Sequence, residues 1–329
     1  VLAKYRDELA VLNMCGRPLL PVLNFVASAS HRESEWREAL ARLGLHALVA
    51  FDSVAPAEDG ERRLYESLAL LLERSRPQLQ RLIEDHEAQR QARRQAGNRL
   101  IAELLIDCAA CRRSVASDAE QEQQAISELR KAIRQREQRC VEALLTLYAF
   151  RPQDAAASDL PLLDGRWGDD LFNPETLKQL GINIGGGMAA GAATGVGVDL
   201  LVGGITLGAA ALIGAVLGGS AQTLRGYGAR LKGKLKGQRE LTVDDAVLRL
   251  LALRQQLLLQ ALEARGHAAV ETIKLTAPQD ASWREGKLPD ALHKARAHPE
   301  WSSLNPGARL EDGERQEQID ALSVTLTAP

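Results

Sequence analysis

Two places in this sequence combine residue types and spacings that metal or catalytic sites use. Cys108 and Cys111 have the spacing found in zinc and redox sites. They lie inside a predicted helix, and the sequence has no second cysteine pair and no suitably spaced histidine pair to complete a zinc site. His267 has the chemistry of a general base, but no nucleophile or carboxylate group accompanies it. We therefore predict semi-buried thiols, a helix-ending turn at His267, no catalytic residue and no metal site.

A repeated glycine spacing marks the most unusual segment of the chain. The series consists of six glycines and one aspartate: Gly187, Gly191, Gly195, Asp199, Gly203, Gly204 and Gly208. On a helix, a four-residue spacing forms a smooth stripe against which a second helix can pack closely. Within residues 179–224 the only ionisable residue is Asp199. We predict a glycine-zipper hydrophobic hairpin over this segment, bent at Gly203 and Gly204, with Asp199 on the packing face near the bend.

The glycines of this segment do not form a phosphate-binding loop. A P-loop requires a lysine after its last glycine, and no lysine occurs between Lys178 and Lys232. A dinucleotide-binding turn requires a third glycine, which is absent after Gly195 and Gly197. Each interior glycine costs a helix about 1 kcal/mol relative to alanine, so close helix packing must offset that cost.

A cluster of cations follows the glycine-rich segment, with no acid among them. This basic cluster consists of Arg225, Arg230, Lys232, Lys234, Lys236 and Arg239. Near an anionic membrane surface, each such cation contributes about 1 kcal/mol of attraction. One interpretation is therefore that the hairpin inserts into or lies against a bilayer. The other is that two Gly/Ala-rich helices pack within a soluble helical core, and that the cations contact nucleic-acid phosphates.

The N-terminal part of the chain alternates helices with short apolar runs. Strands are predicted over 18–26 and 46–51, and helices are predicted before, between and after them. This order is typical of a parallel sheet with crossover helices. A parallel sheet needs covered faces and more than two strands, so we expect residues 1–76 to be half of an α/β unit that other strands complete.

The remaining segments predict helices. Residues 77–150 predict two long charged helices, over 78–115 and 119–149, and an amphipathic helix is predicted over 243–265. The sequence thus predicts a predominantly α-helical protein with a partial α/β unit at the N-terminus, α+β overall. The predicted divisions are the α/β unit at 1–76, a helical hairpin at 77–150, a linker at 151–178, the glycine-zipper hairpin at 179–224 and a basic segment with a C-terminal helical region at 225–329.

Composition excludes several classes of protein. With 41 Lys and Arg against 43 Asp and Glu, the formal net charge is -2, which does not indicate a general nucleic-acid binder. Four cysteines in 329 residues fit a reducing compartment better than a disulfide framework, which predicts a cytoplasmic protein. The first residues lack an initiator methionine and have the pattern of the middle of an amphipathic helix. We therefore expect the chain to begin inside a larger protein.

Two strand ends carry a resemblance to a known class of proteins. Residues 23–27 have the sequence Leu-Asn-Phe-Val-Ala, and Asp52-Ser53 follows the second predicted strand. These positions resemble the end of a G domain of the Era/TrmE-like class of GTPases, in which Asn-Lys-x-Asp at a strand end reads guanine. Asn24 matches the asparagine, while Phe25 and Ala27 replace the lysine and the aspartate. Asp52-Ser53 is similar in position to the loop that closes over the base. The resemblance implies a degenerate guanine-recognition position at Asn24.

Three further motifs carry a second resemblance. They are the run from Gly191 to Ala209, Glu240-Leu-Thr-Val-Asp-Asp245 and Arg265-Gly-His-Ala-Ala269. They resemble a bacterial C-terminal domain of unknown function that is fused behind such G domains. The resemblance implies that a full-length parent is a GTPase that binds GTP and magnesium. This chain alone has no P-loop, switch or magnesium motif, so we expect it to hold no cofactor and to hydrolyse no GTP.

The sequence as a whole predicts a C-terminal regulatory or membrane-associating module of a GTP-binding protein, peripheral on the inner face of the cytoplasmic membrane. Its expected partners are an anionic membrane surface, the upstream half of the G domain in the same parent chain, and a second copy through the glycine zipper. The alternative is a soluble helical scaffold that binds protein or RNA partners, with the basic cluster contacting nucleic acid.

Overall fold

The computed structural model describes most of the chain outside the glycine-rich segment. The described residues are 2–26, 32–53, 59–116, 118–150, 162, 166–173, 198–201, 238–264, 283 and 287–327. Helices account for 68% of these residues, and the two sheets are small. The predicted class, predominantly α-helical with a partial α/β unit and α+β overall, is therefore confirmed.

The N-terminal unit alternates helices with two short parallel strands. Its elements are α1 (Leu2–Met14), β1 (Val22–Leu23), α2 (Glu33–Ala41), β2 (Val49–Ala50) and α3 (Gly60–Leu71). Val22 lies opposite Val49 in a parallel ladder, so the predicted strand pairing is confirmed. Each strand is two residues long, shorter than the predicted runs 18–26 and 46–51, because each has a single strand partner among the described residues.

The helical body is built around one long helix, α4 (Arg76–Ala110). The helices of the body that pack against it are α5 (Ala119–Leu147), α6 (Asp245–Ala264), α7 (Asp290–Ala295) and α8 (Gly313–Thr327). Pro77 stands in the first turn of α4, where its missing N–H is not needed. The Asp118 carboxylate caps α5 by accepting a hydrogen bond from the Gln121 N–H, at 3.2 Å. The sequence correctly predicted a helix that begins at residue 119 behind this cap.

A three-stranded antiparallel sheet, which the sequence did not predict, follows the carboxyl end of α4. Its strands are β3 (Arg112–Ala116), β4 (Val198–Leu201) and β5 (Gln238–Val243), with β5 in the centre. The prediction that the helix continues to residue 115 is wrong, because residues 112–116 pair with β5 instead. The helical prediction for residues 198–201 is wrong for the same reason, since their backbone pairs with the other edge of β5.

Helix α6 forms the centre of the hydrophobic core. The sequence predicted an amphipathic helix here, but among its described side chains only Gln260 is exposed. The helix is buried on all sides because α4, α5 and the C-terminal elements surround it. Gly97 of α4 allows the close approach, since a Cβ at that position would lie 2.6 Å from Leu259 Cδ1 of α6 and 3.6 Å from Leu144 Cδ2 of α5.

Candidate functional site

The carboxyl ends of the two parallel strands meet through a pair of polar side chains. Asn24 follows β1, and Ser53 follows β2 after two intervening residues. Asn24 Oδ1 accepts hydrogen bonds from the Ser53 N–H at 2.9 Å and from the Ser53 hydroxyl at 3.0 Å. Asn24 Nδ2 donates to the Ser53 hydroxyl oxygen at 2.9 Å. The structure thus joins the two positions that the sequence placed at the ends of neighbouring strands.

Phe25 occupies a strained and exposed position beside this pair. Its φ is 59°, in the left-handed region, which costs a non-glycine residue about 1–2 kcal/mol. Its N–H donates to Asn24 Oδ1 at 2.8 Å, and this bond holds the strained backbone in place. The residue is 62% exposed, so the aromatic ring gains little from burial within the protein. Such strain clusters at sites that bind ligands.

Apolar side chains remain exposed over much of the N-terminal unit. Met14 of α1 is 85% exposed and Leu70 of α3 is 78% exposed. Val22 of β1 is 46% exposed, although a parallel strand is normally buried on both faces. The buried apolar side chains of the described part of this unit are Leu40 and Val49. Within the described residues, the unit therefore has only a small core of its own.

Most residues of the predicted hairpin and basic cluster lie outside the described residues. These are Gly187, Gly191, Gly195, Gly203, Gly204, Gly208, Arg225, Arg230, Lys232, Lys234 and Lys236. Asp199, which the sequence placed on the packing face of a helix, lies instead in β4 opposite Thr242 of β5. Arg239 lies in β5 opposite Val115 of β3. None of the helices that the structure describes is long and apolar enough to cross a membrane.

The ladder between β4 and β5 fixes the positions of the described residues that flank residues 202–237 in the sequence. Leu201, the last residue of β4, is paired with Glu240 near the start of β5. Leu201 and Gln238, the last residue of β4 and the first of β5, therefore lie at the same end of one antiparallel strand pair. Asp199 lies on the body side of that point, and the 25 residues from Leu200 to Leu224 contain no ionisable side chain.

A buried carboxylate, that of Asp107, joins Ser303 and Arg315 to α4 and α5. Asp107, in the last turn of α4, is 2% exposed. Its carboxylate accepts hydrogen bonds from Arg136 Nε at 2.5 Å and from Arg315 Nη2 at 3.2 Å. It also accepts from the N–H and the hydroxyl of Ser303, at 3.0 and 2.9 Å. A carboxylate so enclosed by donors holds elements together and is closed to a substrate.

Residues 302–305 cap the carboxyl end of α4. Asn305 Nδ2 donates to the Ala110 carbonyl oxygen at 3.1 Å, and Asn305 Oδ1 accepts from the Arg112 N–H at 3.1 Å. Ser302 Oγ donates to the Asp107 carbonyl oxygen at 2.7 Å. These bonds satisfy carbonyl groups that the end of a helix leaves without partners. The helix therefore ends where a segment 195 residues away binds it.

A second buried ion pair links α5 to α6. Arg254 Nη1 lies 3.5 Å from Glu137 Oε1, and the side chains are 3% and 8% exposed. Arg254 Nη2 also donates to the Asp169 carbonyl oxygen at 2.8 Å, and the guanidinium lies 5.2 Å from the centre of the Trp167 ring. Burial raises the pKa of Glu137, and the attraction of Arg254 opposes it in part. The enclosure of both charges indicates a structural role.

The three buried cysteines do not form a reactive site. Cys108, Cys111 and Cys140 are buried, more completely than the sequence predicted. Burial raises the pKa of Cys108 well above its ordinary value, that of Cys111 to about 11 and that of Cys140 to about 12. Such thiols stay protonated and inert at neutral pH. The described part of the chain holds no group of three or more side chains suited to a metal ion, and His267 lies outside it.

Sequence reasoning missed the buried carboxylate and the strained phenylalanine. Asp107 is the single acid among the apolar residues 104–111, which was a signal that its charge must be paired. Its partner Arg315 carried no such signal, because no pattern in the sequence around Arg315 relates it to α4. The left-handed backbone of Phe25 also has no sequence signature, since it depends on hydrogen bonds to a side chain and is unusual for an aromatic residue.

The protein is mostly helical and has a small unit of two parallel strands. The polar side chains of Asn24 and Ser53 lie at the carboxyl ends of these strands. The family model described as "Domain of unknown function (DUF3482)" matches residues 37–324. Because this match covers most of the chain, the chain belongs to that family. No curated protein and no solved structure matches the chain. The matched range contains Ser53 and the helical body up to residue 324 within α8, whereas Asn24 and Phe25 precede it.

Proposed function

We propose that the chain is the C-terminal module of a GTP-binding protein and that its N-terminal unit forms the base-facing end of the nucleotide site. The observation that carries this proposal is the hydrogen-bonded pair of Asn24 and Ser53 at the carboxyl ends of two parallel strands. Ligands of open parallel sheets bind in the crevice outside these strand ends. The pair therefore stands where a nucleotide would bind.

The exposed apolar surface of the N-terminal unit supports the same proposal. Two strands of two residues each cannot form a stable parallel sheet, which needs further strands and cover on both faces. Val22, Met14 and Leu70 present the apolar surface that such additional elements would bury. We propose that the remaining strands of a nucleotide-binding sheet in the parent protein cover this apolar surface.

The helical body is the proposed regulatory part of the module. Its polar clusters around Asp107 and Glu137 are enclosed, and they tie α4, α5, α6 and α8 into one unit. Phosphoryl transfer requires a phosphate cradle and a magnesium ligand. The sequence has no motif for either, so GTP hydrolysis is assigned to the parent protein and not to this chain alone.

Displacement of a fluorescent GTP analogue from the complete protein tests the nucleotide site. Asn24→Ala removes the amide that links the strand ends, and we expect the affinity to fall about tenfold, since an unsatisfied polar partner costs about 1–3 kcal/mol. Asn13→Ala is the matched control, because Asn13 Nδ2 of α1 donates to the carbonyl oxygen of Leu43, in the turn after α2 of the same unit, at 3.1 Å. Equal affinities of the two variants would refute the nucleotide site.

We further propose that the module contacts an anionic membrane through the segment between β4 and β5. The support is that the charge-free residues 202–224 and most of the basic cluster come between Leu201 and Gln238 in the sequence, and that these two residues end and begin neighbouring antiparallel strands. A bilayer core is matched by about 20 apolar residues, so the 23 charge-free residues from 202 to 224 are long enough to enter it. Asp199, which lies in β4, would remain outside the lipid.

Flotation with vesicles that contain phosphatidylserine tests membrane contact. Changing Lys232, Lys234 and Lys236 to glutamate should weaken binding by removing attraction to anionic lipid. Changing Leu212 and Leu217 to serine should also weaken it, because apolar burial contributes to interfacial binding. A response to the charge changes alone would indicate surface attraction without insertion.

Two exposed lysines of the body provide the matched control for the flotation experiment. Lys287→Glu combined with Lys294→Glu changes the net charge without touching the segment between β4 and β5, and it should leave flotation unchanged. The absence of flotation, together with tight and salt-dependent binding to RNA, would refute membrane contact and favour the soluble scaffold.

A further inference from the structure

We propose that Phe25 is a stacking surface for a nucleobase, and that this site binds purine nucleotides without selecting guanine over adenine. The inference rests on the proposed nucleotide site at Asn24 and Ser53, and it concerns which bases that site accepts. Three features of the strand ends carry it: the placement of the Phe25 ring, the hydrogen-bonding capacity left at Asn24, and the chemistry of the neighbouring positions.

Phe25 is placed where a base bound at the strand ends would meet it. Its N–H is bonded to Asn24 Oδ1 at 2.8 Å, so the backbone that carries the ring is tied to the polar pair. The residue keeps a φ of 59° and is 62% exposed, which leaves an aromatic ring open to a ligand. Aromatic side chains stack on any base, because every base has a π face. Stacking therefore supplies affinity without choosing among bases.

The hydrogen-bonding capacity that remains at the Asn24 amide fits an acceptor that adenine and guanine share. Its Oδ1 already accepts three hydrogen bonds, from the N–H groups of Phe25 and Ser53 and from the Ser53 hydroxyl. One of its two amide hydrogens serves the Ser53 hydroxyl, and the described residues supply no acceptor for the other. A free amide donor matches N7, which is an acceptor in adenine and in guanine. Pyrimidines have no N7, so they lack this bond.

The strand ends do not supply the acceptor that would select guanine, as far as the described residues extend. Recognition of the N1 and N2 hydrogens of guanine requires a carboxylate or a similar acceptor. Ala27 has no polar side-chain atom. Asp52, beside Ser53, is 5% exposed and interacts within the protein. Strong discrimination arises where the wrong ligand leaves a buried polar group unpaired. Without such a group, adenine and guanine should bind alike.

The experiment is displacement of a fluorescent GTP analogue from the complete protein by GTP, ATP and UTP. We expect GTP and ATP to bind within about a hundredfold of each other, the range of a site that lacks a discriminating hydrogen bond. UTP should bind more weakly than either. Phe25→Ala should lower the affinity for both purine nucleotides about tenfold, which is the size of one lost base–aromatic stack. Phe25→Trp should retain it.

Two further variants keep the result interpretable. Phe25→Asn removes the ring but suits the left-handed backbone, so it should lose affinity as Phe25→Ala does even if the alanine variant folds poorly. Val324→Ala removes an exposed apolar side chain from α8 of the helical body and should leave the affinity unchanged.

Two results would overturn the inference. They are a preference for GTP over ATP of about a thousandfold or more, and unchanged affinity in Phe25→Asn. If GTP binding is lost in Asn24→Ala but kept in Phe25→Asn, the nucleotide site stands and only the stacking inference fails. If the complete protein binds no nucleotide, the proposed site fails and the stacking inference fails with it.

Discussion

Replacing Asp107 with asparagine tests whether the buried carboxylate holds Ser303 and Arg315 to α4 and α5. The substitution keeps the size of the side chain and removes the negative charge that Arg136 and Arg315 share. It also places an NH2 group among donors, because all four hydrogen bonds to the carboxylate come from N–H or O–H groups. The two guanidinium groups then lose their common counter-charge inside the protein.

The burial of the three charges determines the size of the effect. Removing one partner of a buried ion pair costs about 3–5 kcal/mol. The side chains of Asp107, Arg136 and Arg315 are 3%, 13% and 6% exposed, so water can replace little of the lost interaction. Arg315 keeps its hydrogen bonds to the carbonyl oxygens of Trp301 and Leu310, at 2.8 and 3.1 Å. We therefore expect a loss of about 3 kcal/mol, the lower end of that range.

Urea unfolding, followed by circular dichroism and tryptophan fluorescence, measures the change in the free energy of unfolding. Amide hydrogen exchange adds a local measurement, because the Ser303 N–H donates directly to the Asp107 carboxylate and should exchange faster in Asp107→Asn. Asp320→Asn is the matched control. Asp320 pairs with Arg99 and its side chain is 63% exposed, and exposed pairs contribute about 0–1 kcal/mol. Equal losses in the two variants, with unchanged exchange at Ser303, would refute the reasoning.

Packing, electrostatics and thiol burial allow three more tests. Gly97→Ala should destabilise by about 1 kcal/mol, since overpacking costs about 1–3 kcal/mol and helix propensity recovers about 1 kcal/mol. In a Leu259→Ala background the same change should stabilise, as a double-mutant cycle in urea would show. Because burial raises the pKa of Glu137, its contribution to stability is present below the ordinary value of 4.5 and is lost as pH rises through the folded-state pKa. The unfolding free energy of the protein minus that of Glu137→Gln should therefore fall from pH 4.5 toward neutral. Iodoacetamide should label the exposed Cys15 of the folded protein and leave the buried Cys140 unlabelled until unfolding, as mass spectrometry would show.

Each of these tests has a control within the chain. Gly313→Ala adds a Cβ with nothing within 4 Å, so it should not destabilise, and a loss equal to that of Gly97→Ala would contradict the packing argument. Glu142→Gln removes an exposed acid from the same helix as Glu137 and should not reproduce its pH dependence. Labelling of Cys140 at the rate of Cys15 in the folded protein would contradict its burial.

Local patterns in the sequence determined most of the helices and the order of the parallel strands. Helix α5 was predicted to begin at residue 119, because a capping side chain such as Asp118 acts within three residues of itself. The parallel arrangement of β1 and β2 followed from short apolar runs that alternate with helices. Asn24 and Ser53 were placed at neighbouring strand ends for the same reason. These features depend on residues close together in the chain, so the sequence by itself records them.

Contacts between distant segments decided the features that the sequence did not predict. Helix α4 stops at Ala110 because Asn305, 195 residues away, bonds the backbone there. Asp199 lies in a strand because the edge of β5 pairs with its backbone. A segment whose local pattern suits both helix and strand adopts the state in which its N–H and C=O groups find partners. For Phe25, the deciding group is the Asn24 side chain, whose own position depends on Ser53, 29 residues away in the chain. Periodicity along the chain contains no information about partners at such distances, so only the tertiary structure determines these states.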